Sequence, residues 1–579
     1  MSLTRPPARV GPRDHLWGAL MALGYLVLLM LTAGDLGMSR DEGFYVEAAN
    51  RYGAWYGELW KDPTRAIEKG VIDHYWSYNR EHPALIKTLF AWSARLDQHT
   101  VPKAFTALGL EPRPLFSAPS LAYRFPGMLC GALTLWLIYI FGARAADRRV
   151  GVFAALAYAS LPRVFYHAHL DCFDVPIALM TTWVFYAYWR SLFSPTWAVW
   201  TGIAFGCALA TKHNSWVVPG ICLVHWAWFA LEERARRRRG QRAGVVLAPY
   251  WLLGMALLGP LLFVASWPYI WHDTWARASS YAAFHLHHDY YNMAYFGVNY
   301  FRPPFPWDFP FVMTAITVPF TFLLLVLLGV SVRLRALIPS WLAGRVLSGG
   351  ERISDLRLTD ALWLGAGLAP LLLIALPSTP IFGGTKHWFT AYPFLCLFAG
   401  YAALHVIVAL ETRLVSRGVS DPAPIAVVCT SMLLAPSVAE TSHSHPFGLS
   451  HYTLLSGGVP GAADLGMNRQ FWGFTTGSAT PFLRSRLPFG GTVFLNDTTH
   501  TAFEMLKRDG LLPANIRGAG SLSGADYALL HHEDHMAEVE FQIWEAFGTT
   551  QPAHVITHDG VPIVSIYENP HRARRRASR

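Results

Sequence analysis

The chain has 579 residues, 53% of them apolar and only 15% charged, where an average soluble chain carries roughly 25% charged residues. That balance excludes a disordered or nucleic-acid-coating protein, and the apolar residues gather in blocks of about twenty, the length a bilayer requires. The formal charge of +9 implies no nucleic-acid partner either, because the basic residues fall in short runs between apolar blocks, notably Arg234 to Arg242, and read as cytoplasmic loop anchors.

In chain order the candidate spans are 16–33, 121–142, 150–166, 175–193, 197–210, 216–231, 245–266, 311–332, 361–376, 388–410 and 425–438, about eleven in all. The first follows Arg5, Arg9 and Arg13 and lacks a small-residue cleavage site after it, so it reads as a retained anchor. With the N-terminus inside, Arg144, Arg148, Arg149, Arg190, the Arg234 run, Arg333, Arg335, Arg345, Arg413 and Arg417 all fall on the cytoplasmic side. The positive-inside rule is thereby satisfied throughout. A re-entrant hairpin around Lys212 to Asn214 can replace two of the spans without changing that parity.

The outer segments are then 34–120, 162–174, 212–215, 267–310, 377–387 and everything after about 440. Within the first of them, 65–69 and 83–96 carry apolar positions at helical spacing, as amphipathic helices on the bilayer surface do. The expected organisation is a transmembrane region over 1–440, a connecting segment over 441–490, a small α/β domain over 491–568 and a disordered basic tail over 569–579. In the α/β part, 492–496 reads as a strand, 499–508 as a helix capped by Asp497 and stopped at Gly510, 527–530 as a strand and 536–547 as a helix. Segments 554–557 and 561–567 read as a hairpin turned by Asp559-Gly560. Six cysteines make no disulfide framework in a chain of this length; five lie inside apolar blocks, and Cys172 has no evident partner.

Where charge is scarce, each outward polar residue counts. Asp41 and Glu42 follow the first span closely enough to sit at the membrane surface, where a general base can meet a lipid-borne substrate; a solvated loop charge is the plainer alternative. His167, His169, Asp171 and Asp174 lie within eight residues of one another, a set able either to bind a divalent metal or to satisfy the start of the next helix, with Asp174 as its cap. Lys212 ends a span on the outside, suited to a lipid phosphate or to anchoring at the interface. The His- and aromatic-rich stretch containing His285 and His287 suits sugar stacking but also the ordinary aromatic belt. Lys386 and His387 are further candidates for anion contact.

Taken together, these residues resemble a known family. Asp41-Glu42, then Glu81-His82-Pro83-Ala84-Leu85-Ile86-Lys87, then Leu170-Asp171-Cys-Phe-Asp174 are similar in order and sidedness to the GT-C membrane glycosyltransferases of the protein O-mannosyltransferase and aminoarabinose-transferase type. Ala208-Leu-Ala-Thr-Lys212, Pro306-Trp307, and Pro446 to Tyr452 followed by Gly457-Gly458 and Trp472-Gly473 extend the likeness over most of the chain. Ala84 stands where the family has a second proline, and His169 where it more commonly has arginine.

The resemblance implies an α-helical GT-C fold and transfer of a hexosyl or pentosyl group, with inversion, from a polyprenyl-phosphate carrier to an extracytoplasmic protein, lipid or glycan hydroxyl. The expected location is a bacterial cytoplasmic membrane. The resemblance also implies that Asp41 is the catalytic carboxylate supported by Glu42, and that Lys87 and Lys212 hold the carrier phosphate. His82, His167, His169, Asp171, Asp174, His285, His287, Lys386 and His387 are left to line the substrate site, with His169, Asp171 and Asp174 the candidates for a divalent metal and no nucleotide cofactor. The competing reading is a transporter or lipid flippase, although the chain shows no internal repeat and its charged candidates cluster at one face rather than at the midplane. A non-catalytic receptor with the C-terminal domain as ligand module is a third reading.

Overall fold

The computed structural model describes residues 10–238, 246–337, 356–421 and 423–577. Arg5, Arg9, Arg239, Arg242 and Arg345, used above to set orientation, lie outside the described residues, as do the last two residues of the tail. The protein is mainly helical, with a five-stranded sheet near its C-terminus.

Helix α1, Pro12–Thr32, opens with Pro12 in its first turn, where the missing N–H costs nothing. Asp14 accepts from Gly11 N at 2.8 Å and from Arg148 Nε at 2.6 Å, tying the start of α1 to the helix Arg148–Ala159. By length and composition, Pro12–Asp35, Pro119–Ala145, Gly384–Val415 and Pro424–Ser444 are able to cross a membrane. Trp197–Leu209, Tyr250–Ala265, Phe320–Arg333 and Leu358–Ile374 are apolar but shorter. The expected eleven spans are therefore four by that measure among the described residues. The block 150–166 shows one cause: it is two helices, Arg148–Ala159 and Pro162–Ala168, because Pro162 has no N–H to continue the first and instead starts the second.

Helix α2, Arg40–Lys61, follows α1 and was not expected from the mixed charge and aromatic content of that stretch. Its start is a capping box, in which Glu42 Oε2 accepts from Ser39 N at 2.8 Å. The same carboxylate meets Arg124 in the helix Pro119–Ala145, with Nε to Oε1 at 2.7 Å and Nη2 to Oε2 at 3.0 Å. Arg124 also donates to the carbonyls of Leu36 at 2.9 Å and Gly37 at 2.8 Å. The link between α1 and α2 is thus wrapped around one guanidinium, and both partners of the pair are buried. The amphipathic piece expected at 83–96 is the helix Leu85–Arg95, whereas 65–69 falls across the turn at 67–68 that separates the helices Pro63–Ala66 and Lys69–Trp76.

The loop after Tyr250–Ala265 holds a short hairpin that the sequence did not suggest, β1 Met293–Tyr295 against β2 Val298–Tyr300. In the C-terminal domain, β3 Gly491–Phe494 pairs in parallel with β4 Ile516–Ala519 and β5 Tyr527–His531. β7 Val561–Glu568 runs antiparallel to β5 and to β6 His554–His558, completing the order β4-β3-β5-β7-β6. Helices His500–Arg508 and Ala537–Phe547 fall where the sequence placed them. Asp559 and Gly560 both have positive φ, 50° and 79°, as a tight hairpin turn requires. The tail expected to be disordered instead begins with a helix, Pro570–Ala577.

The domain lies directly on α2. A side chain at Gly43 would meet Thr499 Oγ1 at 1.9 Å, and Ser120 N donates to Asp509 Oδ1 at 3.0 Å. Removing one partner of a buried ion pair leaves an uncompensated charge, at a cost of about 3–5 kcal/mol. Glu42→Ala is therefore expected to lower the thermal midpoint of the detergent-solubilised protein severely; an unchanged midpoint would show that the pair does not hold this junction.

Candidate active site

Because Glu42 faces inward, its neighbour Asp41 is turned about 100° round α2 and stays partly exposed. Its side chain is 17% exposed and lies 3.4 Å from Lys386 Nζ and 3.5 Å from Arg40 Nε. Lys386 in turn lies over the Trp472 ring, 4.2 Å from its centroid, so the connecting segment between the helices and the C-terminal domain walls one side of Asp41. Arg40 is held from two directions: its N–H donates to Trp472 O at 2.8 Å and its guanidinium pairs with Asp497.

The second group of charges is on the turn between Pro162–Ala168 and the helix Asp174–Ser191. That turn is seated by Gly127, where a side chain would come within 2.3 Å of Leu170 O; the helix Pro119–Ala145 can approach so closely only because the residue is glycine. Asp174 Oδ1 accepts from Lys212 Nζ at 2.7 Å, and Asp174 Oδ2 lies 3.4 Å from His167 Nδ1. Burial lowers the pKa of His167, only partly offset by Asp174, which favours a neutral ring. Lys212 and Lys386 both bear electrostatically on Asp174, which brings the 174–212 pair and the 41–386 pair into one site.

Asp171 lies on the Glu42 side of the turn. Its N–H points at Glu42 Oε1 at 3.4 Å, and neither carboxyl oxygen has a hydrogen-bond partner among the described residues. Burial, reinforced by the Glu42 charge, raises its pKa far above the usual carboxylate range. For Glu42, burial pushes upward too, but the Arg124 guanidinium outweighs it and the net shift is downward. Glu42 is therefore the ionised member and Asp171 the protonated one.

Several sequence candidates are placed differently from a shared binding role. Lys87 is buried, and its ammonium is spent on Asn79 O at 2.7 Å, Asn79 Oδ1 at 3.0 Å and His82 O at 2.9 Å; burial pulls its pKa down to about 7. It clamps the turn bearing His82, whose ring packs against Phe173 at 4.9 Å and Tyr45 at 5.9 Å. His169 bonds Phe165 O at 2.8 Å and Thr32 Oγ1 at 2.9 Å, and so ties its turn to the end of α1. His169, Asp171 and Asp174 face three different sets of partners, and among the described residues no three His, Cys, Asp or Glu side chains converge as metal ligands would.

His285 stacks on His213 at 3.9 Å and contacts Glu81 O at 2.8 Å, whereas His287 is exposed and bonds only Ala283 O, at 3.2 Å. His387 contacts Phe382 O at 2.9 Å. The sequence reasoning missed Arg124, Arg163, Asp497 and Glu533. Arg124 and Arg163 each carried a signal, a charge inside a predicted span (121–142 and 150–166). Asp497 and Glu533 join Arg40 from the distant C-terminal domain, and burial raises the pKa of both despite the arginine.

Residues 101–267 match the family model described as dolichyl-phosphate-mannose-protein mannosyltransferase. The matched segment contains His167, Asp171, Asp174 and Lys212. No curated protein matches the chain. Among solved structures, ArnT from Cupriavidus metallidurans bound to undecaprenyl phosphate is 14% identical, with 94% of this chain and 97% of that one covered and a TM-score of 0.42. The Archaeoglobus fulgidus oligosaccharyltransferase AglB, in complex with an inhibitory peptide and a dolichol-phosphate, is 11% identical over 91% of this chain and 71% of that one, at 0.44. The arabinofuranosyltransferase AftD from Mycobacteria is 13% identical over 97% of this chain and 42% of that one, at 0.39.

An unfolded aspartate titrates near about 3.9, so above that pH the folded protein holds a proton on Asp171 that the unfolded chain has released. Stability consequently falls as pH rises through that window. Asp171→Asn, a permanent stand-in for the protonated acid, is expected to flatten the fall relative to wild type in thermal midpoints measured from about pH 5 to about pH 8. An unchanged slope would contradict the assignment of the proton.

Proposed function

We propose that the protein is an integral-membrane glycosyltransferase that moves a sugar from a polyprenyl-phosphate carrier to an extracytoplasmic acceptor hydroxyl, with inversion at the sugar carbon. The observation that carries this reading is the part-exposed Asp41 carboxylate paired with Lys386, which also bears on the neighbouring Asp174–Lys212 pair, in a protein of apolar helices. Displacement at an anomeric carbon needs a base on the acceptor side and positive charge on the leaving phosphate.

In the proposed step, Asp41 takes the proton of the acceptor hydroxyl while its oxygen bonds to the anomeric carbon. The bond from that carbon to the carrier phosphate breaks, and its electron pair goes to the phosphate oxygen, beside Lys212 and Lys386. Lys386 has a double use. At rest it pairs with Asp41, and when the phosphate enters it turns to that anion and leaves the Asp41 carboxylate open to the acceptor hydroxyl. Lysine suits this exchange as a mobile point charge. Glu42 and Lys87 act as positioning residues, the first for Asp41 and the second for His82.

The remaining assignments belong to the same proposal. About eleven spans, the N-terminus in the cytoplasm and the C-terminal domain outside, in a bacterial inner membrane, are supported by the distribution of arginine. The donor is a hexosyl or pentosyl polyprenyl phosphate, and the acceptor is a protein, lipid or glycan. Domain limits of 1–440, 441–490 and 491–568 are supported by the sheet beginning at Gly491.

The test is transfer itself. Purified protein in lipid, given radiolabelled polyprenyl-phosphate sugars and an envelope extract, is expected to move label, and Asp41→Asn to lower the rate by about 100-fold or more with the fold intact. Persistent transfer by that variant would remove Asp41 as the base. Absence of transfer with every donor, together with ligand flux across vesicles, would establish the transporter in its place.

A further inference from the structure

Arg163 is 2% exposed, yet none of its three guanidinium nitrogens makes a hydrogen bond, and it forms no ion pair among the described residues. Its charge is sandwiched between the rings of Tyr452 and Phe471, each 5.4 Å from the guanidinium carbon. The Tyr452 hydroxyl, which bears on it, is already donated to Asn468 O at 2.6 Å. A lone buried guanidinium is costly to keep and calls for an anion.

The place where that anion fits is the turn before the helix Gly384–Ala391, which continues into Tyr392–Val415. Gly383 and Gly384 both have φ of +63°, a conformation that glycine adopts without strain. No side chain caps the helix, so its first N–H groups are available to an anion. A Cβ on Gly384 would fall 2.8 Å from Arg163 Nη1, and one on Gly383 2.5 Å from Lys386 Cε. The two glycines therefore let the turn pack directly against the Arg163 guanidinium and the Lys386 side chain. Thr385 Oγ1, also buried, has no partner either.

We propose that Arg163, Lys386, Thr385 and the Gly383-Gly384 turn form a phosphate pocket, and that its occupant is the phosphate of the lipid carrier. The inference rests on the transferase reading and specifies where the leaving group is held. Arg163 supplies two parallel donors from behind the turn, a geometry that matches a phosphate. Lys386 supplies the charge that swings over from Asp41. Glycine is required at both positions, since a Cβ would clash with Lys386 or Arg163 and push the turn away from the two cations.

Binding of radiolabelled polyprenyl monophosphate to the full-length protein in nanodiscs, with inorganic phosphate as competitor, tests the pocket. Arg163→Gln is expected to weaken polyprenyl monophosphate at least tenfold, and Arg163→Lys to restore part of the loss. Competition by inorganic phosphate that requires Arg163 would add support for a phosphate site. Wild-type affinity for polyprenyl monophosphate in a folded Arg163→Gln protein would overturn the proposal, and so would loss of inorganic phosphate binding alone, which would mark a site for free phosphate. Should Arg163→Gln fail to fold, Thr385→Val is read instead: a severalfold loss supports the pocket and an unchanged affinity overturns it. Sugar transfer assayed on the same samples separates the two readings. Transfer with Arg163-independent phosphate binding refutes the pocket alone, whereas Arg163-dependent binding without transfer from any donor refutes the transferase and leaves the pocket.

Discussion

The Glu42–Arg124 pair is the constraint on which the site depends. A carboxylate and a guanidinium removed from water are stable only when each satisfies the other and the remaining donors find carbonyls, and Arg124 does so with Leu36 and Gly37. That arrangement fixes three things together: the end of the link from α1, the first turn of α2 and the helix Pro119–Ala145. Once Glu42 is turned inward, helix geometry turns Asp41 outward. The same helix receives the 170–174 turn at Gly127, so the two acidic elements of the site are referenced to one rigid support.

Around that support the charges are arranged in exchangeable pairs. Asp41 with Lys386 and Asp174 with Lys212 are each compensated at rest, and in the proposed reaction the carrier phosphate competes for these lysines. The pairs differ in accessibility: Asp174 and Lys212 are each about 7% exposed, against 17% and 12% for Asp41 and Lys386. The Asp41 pair is therefore the more accessible of the two. The C-terminal domain adds Asp497 and Glu533 behind Arg40, and burial raises the pKa of both.

The local order of the chain was largely legible. Alternation and turn chemistry located β3, β5, β6 and β7 and the two helices of the C-terminal domain, and the spacing of Asp41, His82, Asp171, Asp174 and Lys212 along the chain marked one face of the protein. What sequence could not tell was the direction in which each side chain is spent. Lys87 looks like an anion ligand by its place in a motif, yet three local acceptors consume it. Glu42 looks like a second catalytic acid until Arg124, 82 positions away, claims both oxygens. β4, Ile516–Ala519, contains Arg517 and Gly518 and lacks the apolar alternation of a core strand, because it lies at the edge of the sheet. Arg163 stood out only as a charge inside the block 150–166; nothing in its neighbourhood along the chain reveals that it is buried without a counter-ion.

The most direct measurement is a structure of the full-length protein in lipid with a phosphonate analogue of a polyprenyl-phosphate sugar. The account places the phosphonate within hydrogen-bonding distance of Lys212 or Lys386, with Lys386 withdrawn from Asp41, and the Asp41 carboxylate facing the opposite side of the anomeric carbon. An analogue bound with its anomeric carbon away from Asp41, or with Asp41 and the phosphonate on the same side of that carbon, would contradict it.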